Sequence, residues 1–193
     1  HRGLGFACWL EEIQDSKSQE PYAEIRQMRD YGVRKAQAAG FELNTLRSLY
    51  QRGHFSIIGG EEAKARGLGH MLNLRDIMHV AVAKQLMEAG VHPKDAFQAA
   101  IHFAHVGSGG SGWVGEPMTG PTRLPAGLFD DGFTVLIYFA ASQGVKIIQT
   151  NGALDFGTLF ISPNGDREPA IVICLNFVEH AVFCALGVTA KAD

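Results

Sequence analysis

The chain has 193 residues, enough for one compact domain or two small ones. Its 46% apolar and 19% charged residues are typical of a soluble globular protein, and no apolar run reaches the roughly 18 to 20 residues of a membrane span. The formal net charge of −3 argues against indiscriminate binding to nucleic acid. Three cysteines, far apart or in apolar company, fit reduced thiols and predict a cytoplasmic protein.

The first 28 residues are predicted to form an N-terminal arm. A short amphipathic helix over residues 4–14 would place Phe6, Trp9, Leu10 and Ile13 on one side. A polar connector follows it. Two interpretations stay open, a loosely packed arm and an arm that docks on a partner subunit.

Two short helices separated by a glycine are predicted between residues 33 and 53. The first ends at Gly40, and Asn44 or Thr45 can cap the second. The inward apolar positions of the two helices are Val33, Ala36, Ala39, Leu46, Leu49 and Tyr50. Two short helices joined by a glycine-containing turn are typical of a helix-turn-helix, whose second helix lies in the DNA major groove.

An irregular excursion follows Gly53 and is interpreted as a β-wing. Residues 55–58 are β-prone, Gly59 and Gly60 mark a turn, and residues 71–72 are the candidate return strand. The predicted tip carries Lys64, Arg66 and His70, which suits contact with the minor groove or its flanking phosphates. An ordinary solvated loop is the alternative.

Two further helices and a linker complete this half of the chain. A strong apolar stripe predicts a helix from Leu74 to Gly90, where the glycine ends it. His92 and Pro93 open the next helix, with Asp95 in its first turn. Residues 106–117, rich in glycine, are interpreted as the start of a flexible linker.

Over residues 29–105 this arrangement resembles the winged-helix domain of MerR-type regulators. The residues at the family's intervals are Gly40, Thr45, Leu46, Arg47, Gly53, Asp76 and Gly90. The tyrosines that usually follow the Leu-Arg pair are Ser48 and Leu49 here, and the wing is longer than usual. The linker also interrupts the long helix that forms the family's coiled-coil dimer, so the resemblance does not imply that dimer.

The C-terminal part is predicted to be a small sheet covered by a helix. Four strands are expected at 133–140, 145–150, 157–161 and 170–175, with a hairpin at Gln143-Gly144 and a final helix over 176–186. The predicted fold class is therefore α+β, an N-terminal winged helix-turn-helix followed by a small C-terminal β-sheet domain covered by a helix. The expected divisions are the arm at 1–28, the winged helix-turn-helix at 29–106, the linker at 107–130 and the sheet domain at 131–193.

Charge is unevenly distributed along the chain. Between Arg29 and Arg75, eight basic residues against four acidic ones leave a net charge of +4, so the remainder carries −7. A modestly positive module on an acidic body suits sequence-selective DNA binding. The predicted DNA-binding residues are Arg34, Lys35, Asn44, Thr45, Arg47, Ser48, Tyr50, Arg52, His54, Lys64, Arg66 and His70.

The predicted function is a bacterial or phage transcriptional regulator that binds double-stranded DNA. The expected partners besides DNA are a second copy, through the C-terminal domain or the N-terminal arm, and RNA polymerase as a further candidate. Two alternatives stay open, a protein-interaction adaptor on a winged-helix scaffold and a small-molecule sensing module in the C-terminal sheet domain.

Catalytic and metal motifs do not support an enzyme. The sequence has no nucleophile elbow, phosphate loop or His-Glu-x-x-His, so no catalytic residue or cofactor is predicted. His102 and His105 are spaced to share a helix side, but nothing nearby supplies a third ligand. His180 and Cys184 also share a helix side and Cys174 precedes them on a strand, where buried thiols are favoured over a soft-metal or redox-sensing site. No metal is therefore expected.

Overall fold

Helices and antiparallel strands are mixed in this protein, which confirms the predicted α+β class. The computed structural model describes residues 31–32, 37, 39–58, 71–108, 121–151 and 155–187. The helices in these ranges are α1 (Leu43–Gln51), α2 (Leu74–Glu88), α3 (Pro93–Ala104), α4 (Phe156–Leu159) and α5 (Leu175–Leu186). The strands are β1 (Tyr31–Gly32), β2 (Met71–Leu72), β3 (Phe133–Phe139), β4 (Gly144–Thr150) and β5 (Ala170–Cys174). Within the described ranges no helix combines the length and apolarity needed to cross a membrane.

The helix pair α2–α3 forms the centre of the fold and lies where the sequence predicts it. Asn73 and Asp76 make a reciprocal capping box at the start of α2, and His92 and Pro93 begin α3. Side chains around almost the whole circumference of α2 are buried. The reason is that α3 covers one side of α2 while α5 and β5 cover another.

A three-stranded antiparallel sheet in the order β4-β3-β5 packs against these helices. The predicted hairpin is confirmed, because Phe139 pairs with Gly144 and residues 140–143 form the turn. Six consecutive residues of the central strand β3, 134–139, are buried. Burial on both faces follows because the α2–α3–α5 layer covers one face and Leu159 packs with Val135, Ile137 and Phe139 on the other.

The predicted strand at 157–161 is wrong, because most of that segment is the short helix α4. The carbonyl of Asp155 accepts from the Leu159 amide, and its carboxylate accepts from the Gly157 amide. These bonds turn the chain into a helical turn and bury Leu159 against the sheet. Ile161 makes only an isolated bridge, with Arg167.

The predicted pairing within the wing is also wrong. Strand β2 pairs with β1, with Tyr31 opposite Leu72 and Gly32 opposite Met71, and not with residues 55–58. Phe55 instead enters the core, where its ring lies 5.6 Å from that of Phe97. The helix predicted over 33–39 is described only at residues 37 and 39, and the predicted tip at 61–70 lies outside the described residues.

One apolar cluster includes residues from both sides of the predicted linker. It extends from Ala39 to Phe183 and contains side chains of α1, α2, α3, β3 and α5. The predicted linker covers 107–130, and of its described part Arg123, Ala126 and Phe129 are buried. Arg123 and Ser108 also exchange two backbone hydrogen bonds, of 2.9 and 3.1 Å. Arg123 and Ala126 are therefore packed against the end of α3.

Candidate nucleic-acid interface

Helix α1 packs on the core through one apolar side and is followed by a glycine. Leu46 and Leu49 are buried, as their spacing predicts. The predicted caps are wrong, because Glu42 precedes the helix and makes no side-chain cap, while Asn44 and Thr45 lie inside the first turn. Gly53, with a φ of +71°, takes the left-handed conformation just after the helix.

The opposite side of α1 is open to solvent and carries the predicted contact residues. The exposed polar residues on and just after the helix are Asn44, Thr45, Arg47, Gln51 and Arg52. Neither Arg47 nor Arg52 forms an ion pair with any residue that the structure describes. Phosphates or base edges could therefore accept hydrogen bonds from two guanidinium groups at this exposed surface.

Three other predicted contact residues are half-buried. Ser48 and Tyr50 lie on α1, and the Tyr50 ring packs edge-on against Phe55 at 5.8 Å between centroids. His54 follows the helix, and its ring lies 6.2 Å from that of His92. These side chains take part in packing the helix as well as bordering its surface. The remaining predicted residues, Arg34, Lys35, Lys64, Arg66 and His70, lie outside the described residues.

A buried carboxylate fixes both ends of the excursion between α1 and α2. One oxygen of Asp76 accepts from the amide of Ile58 at 3.1 Å, and the other accepts from the amide of Asn73 at 3.2 Å. Residues 58 and 73 are thereby held at one side chain, beside the start of α2. The sequence signal is the Asn-x-x-Asp pattern before an apolar run, which predicts a capping box but not the distant bond to Ile58.

Two histidines lie next to this carboxylate, and the sequence gives no sign of their contact. His79 is buried in α2, and its Nε2–H donates to the Phe97 carbonyl at 2.8 Å. Burial, helped by the nearby His105 and opposed by the hydrogen bond to Phe97, lowers the pKa of His79 to about 4. The Nε2 atom of His105 lies 3.9 Å from Asp76, and burial also lowers the pKa of His105. Neutral imidazoles therefore join α2 to the end of α3.

Arg123 closes the C-terminal end of α3. Its guanidinium donates to the carbonyls of His102, Phe103 and Val106 at 2.7, 3.0 and 2.8 Å. Burial lowers the pKa of Arg123 to about 10, which leaves the group charged at neutral pH. A cation at the carbonyl end of a helix satisfies acceptors that the helix itself leaves open. The sequence does not reveal this role, because Arg123 lies in the segment interpreted as a linker.

A cavity of about 220 Å³ lies beneath α1. Leu46, Tyr50, Phe55, Ile57 and Leu72 line it, so its wall is mainly apolar. Arg47 and Gln51 lie at the same cavity and supply its polar lining. The cavity and the exposed side of α1 therefore share two residues.

The described residues complete neither of the candidate metal pairs. His102 is exposed, whereas His105 turns inward, so the two imidazoles do not converge. The Cys184 thiol lies 3.5 Å from His180 on the surface of α5, and burial raises the pKa of the half-buried Cys174. In the described ranges, no three residues of the metal-binding types come together.

Comparison with known proteins assigns no family. No protein-family model matches the chain, and no curated protein matches it. The resemblance to MerR-type regulators stays a prediction that depends on the spacing of the residues given above.

Proposed function

We propose that this protein binds double-stranded DNA sequence-selectively, as a bacterial or phage transcriptional regulator of winged-helix type. In this proposal α1 is the recognition helix, and the excursion from 59 to 70 is the wing. The observation that carries it is the division of α1 between a buried apolar side and an exposed side with two arginines that have no ion pair in the described chain.

The exposed side of α1 has the chemistry that a duplex requires. Arginine binds phosphate and the guanine edge through two parallel hydrogen bonds, and Asn and Gln pair with adenine in the same way. Arg47, Gln51 and Asn44 are spaced three or four residues apart, so one helix side presents all three. A helix of nine residues is long enough to lie across a few base pairs of the major groove.

The contacts of Asp76 support a wing beside that helix. The residues at which this loop leaves and returns, Ile58 and Asn73, are held at one carboxylate beside the start of α2. In sequence this loop carries Lys64, Arg66 and His70 along with Glu61 and Glu62. Its cationic residues would add backbone contacts next to those of α1. The local charge of +4 between Arg29 and Arg75 agrees with an electrostatic contribution to binding.

The decisive experiment is a titration of the full chain with duplexes that surround its own gene and with random duplex. Binding is measured by fluorescence anisotropy at several salt concentrations around 0.1 M. We expect Arg47→Ala to weaken binding to the preferred duplex roughly 5- to 160-fold, because a bidentate base contact is worth about 1–3 kcal/mol.

The matched control is Arg167→Ala, which removes an exposed arginine from the loop before β5. It should leave the affinity within about twofold of the parent protein, as expected for a surface residue away from the contact. Equal losses in the two variants, or binding that does not respond to salt, would refute α1 as the DNA-binding element.

A second candidate function is the sensing of a small apolar molecule. The specific observation is the cavity beneath α1, whose volume of about 220 Å³ lies below the range of drug-sized ligand sites and suits a small ligand. Because Arg47 borders it, an apolar acid in the cavity would compete with DNA for that guanidinium.

The test is the thermal unfolding of the full chain with a panel of small apolar acids. A stabilising ligand should lose its effect in Ile57→Trp, which fills the cavity, and should lower DNA affinity in the parent protein. No shift with any ligand of the panel would remove this candidate.

A further inference from the structure

A groove of about 380 Å³ runs between α2 and α5. Residues of β5 and the pair Ala39-Gly40, which lies before α1, form the rest of its wall. Lys84 is the one charged side chain among the described residues that line it. Ala81 of α2 and Ala181 of α5 also line the groove, and side chains as small as these allow another helix to approach closely. The groove therefore offers a mainly apolar site for a further helix.

The dimensions of the groove match a short helix. Its wall on the α5 side extends from Cys174 to Val182, a rise of about 12 Å. A helix of eleven residues is about 16 Å long. Amphipathic helices that bind in such grooves do so through apolar side chains at positions i, i+3, i+4 and i+7. A matching occupant therefore needs about three helical turns with one apolar side.

The N-terminal arm of this chain has that length and spacing. Residues 4–14, which precede the described part of the chain, are predicted from the sequence to form an amphipathic helix. Its apolar positions follow the i, i+3, i+4, i+7 spacing and are Phe6, Trp9, Leu10 and Ile13. We propose that residues 4–14 lie as a helix in the groove between α2 and α5 of the same molecule. This inference does not depend on DNA binding.

The attachment point of the arm favours this occupant over a separate molecule. Tyr31 is paired with Leu72 just before α2, and the groove begins about 10 Å along that helix, at Ala81. Residues 15–30 join the predicted helix to Tyr31, and a coil of that length spans roughly 20–24 Å. A connection that matches the span in this way gives an effective concentration of about 1 mM. Even a weak dissociation constant of about 0.1 mM would then leave roughly nine arms in ten bound to their own molecule.

The first experiment measures the burial of Trp9 by tryptophan fluorescence in the full chain. Trp113→Phe leaves Trp9 as the only tryptophan. Ala181→Arg then places a long charged side chain in the groove, and the exposure of Ala181 makes this change compatible with the fold. Displacement of the arm should shift the emission of Trp9 to longer wavelength and raise its quenching by acrylamide at least about twofold, because a bound indole is shielded from water.

His180→Arg is the matched control, since it places the same side chain on α5 outside the groove. It should leave the emission and the quenching of Trp9 as they are in the Trp113→Phe chain, and circular dichroism should show both variants folded. Quenching of Trp9 that is equal with and without Ala181→Arg would overturn the proposal.

The second experiment links the arm to the groove through thiols. Two full chains both carry Ala181→Cys, Cys174→Ser and Cys184→Ser. One also has Leu10→Cys and Cys8→Ser, which place its arm thiol on the apolar side, and the other keeps Cys8, which falls on the opposite side of the predicted helix. Oxidation by glutathione disulfide should form the intramolecular disulfide at least about tenfold faster in the first chain, because only its arm thiol faces the groove.

Two results of this second experiment would overturn the proposal. Equal rates in the two chains would mean that the apolar side of the arm does not face the groove. A disulfide that joins two molecules, at a rate that rises with protein concentration, would place the arm in the groove of a second copy instead of its own.

Discussion

The polar residues of the α2–α3 core and those of α1 differ in where their hydrogen bonds go. Asp76, His79 and Arg123 are buried, and each bonds to backbone groups of another segment. Arg47 and Arg52 are exposed and have no ion-pair partner in the part of the chain described. Charged groups of the first set hold the fold together, because a buried charge is tolerated only when it is bonded.

Substitution should therefore have opposite effects in the two regions: it should lower stability at the buried polar residues and binding at the exposed arginines. Removing an interior polar group leaves its backbone partners unsatisfied, which costs stability whatever the protein binds. Removing an exposed arginine leaves no buried group behind, so stability should hold while binding to an external anion falls. Each prediction below tests one member of one set.

The largest effect is expected for Asp76→Ala. The amides of Ile58 and Asn73 lose a charged acceptor, and each such bond is worth about 1.5–3 kcal/mol. The free energy of unfolding, measured by urea denaturation at pH 7, should fall by about 3–5 kcal/mol.

Asp95→Ala is its control, since Asp95 occupies the first turn of α3 as Asp76 occupies that of α2. It should cost less than about 1 kcal/mol, the usual contribution of an acid near a helix start. Similar losses in the two variants would mean that the bond to Ile58 contributes nothing.

The second prediction concerns acid. Because the pKa of His79 is about 4 in the fold against 6.5 in the unfolded chain, the unfolded state binds the extra proton between these values. The free energy of unfolding should therefore be at its maximum with respect to His79 above pH 6.5. It should fall by about 3 kcal/mol as the pH drops to about 4. Urea denaturation at a series of pH values measures this slope.

His79→Gln should reduce the slope in that window and leave the smaller part that His105, whose pKa burial also lowers, contributes. His102→Gln, at an exposed position on α3, should leave the slope of the parent protein unchanged. A slope that persists undiminished without His79 would assign the acid sensitivity to other groups.

The third prediction concerns Arg123→Met, which keeps the length of the side chain and removes its donors. The carbonyls of His102 and Val106 then lose this donor, while the Phe103 carbonyl keeps its bond from the Ala126 amide, so the free energy of unfolding should fall by about 2–3 kcal/mol. The matched change Arg167→Met at an exposed site should stay within about 0.5 kcal/mol. Denaturation at pH 7 with no difference between these variants would contradict a capping role for Arg123.

Local patterns in the sequence predict α1, α2, α3, α5 and the hairpin. The stripe from Leu74, the His92-Pro93 start and the Gln143-Gly144 turn each determine structure within a few residues of themselves. The inward positions of α1, Leu46 and Leu49, follow from the same period. The exposed side of that helix, and with it Arg47, could therefore be predicted without coordinates.

Most of the errors and omissions depend on contacts between distant residues, whereas the helical turn at 157–161 and the start of α1 are local. Strand β2 takes its partner from residues 31–32, and Asp76 reaches Ile58 from 18 positions away. The segment at 157–161 has β-prone residues, but the bonds of Asp155 make it helical. Arg123 follows a glycine-rich stretch, and nothing in that local pattern predicts its hydrogen bonds to the end of α3. Residue type and period carry no information about such pairings.

The smallest stability effect is expected at α1. Arg47→Ala and Arg52→Ala should each change the free energy of unfolding by less than about 0.5 kcal/mol, because neither guanidinium is buried or ion-paired among the described residues. In the same samples, removal of a phosphate contact should lower the slope of log affinity against log salt by about one. A loss of stability above about 1 kcal/mol would show that these arginines stabilise the fold, as Asp76, His79 and Arg123 do. It would also remove the support for their role in DNA binding.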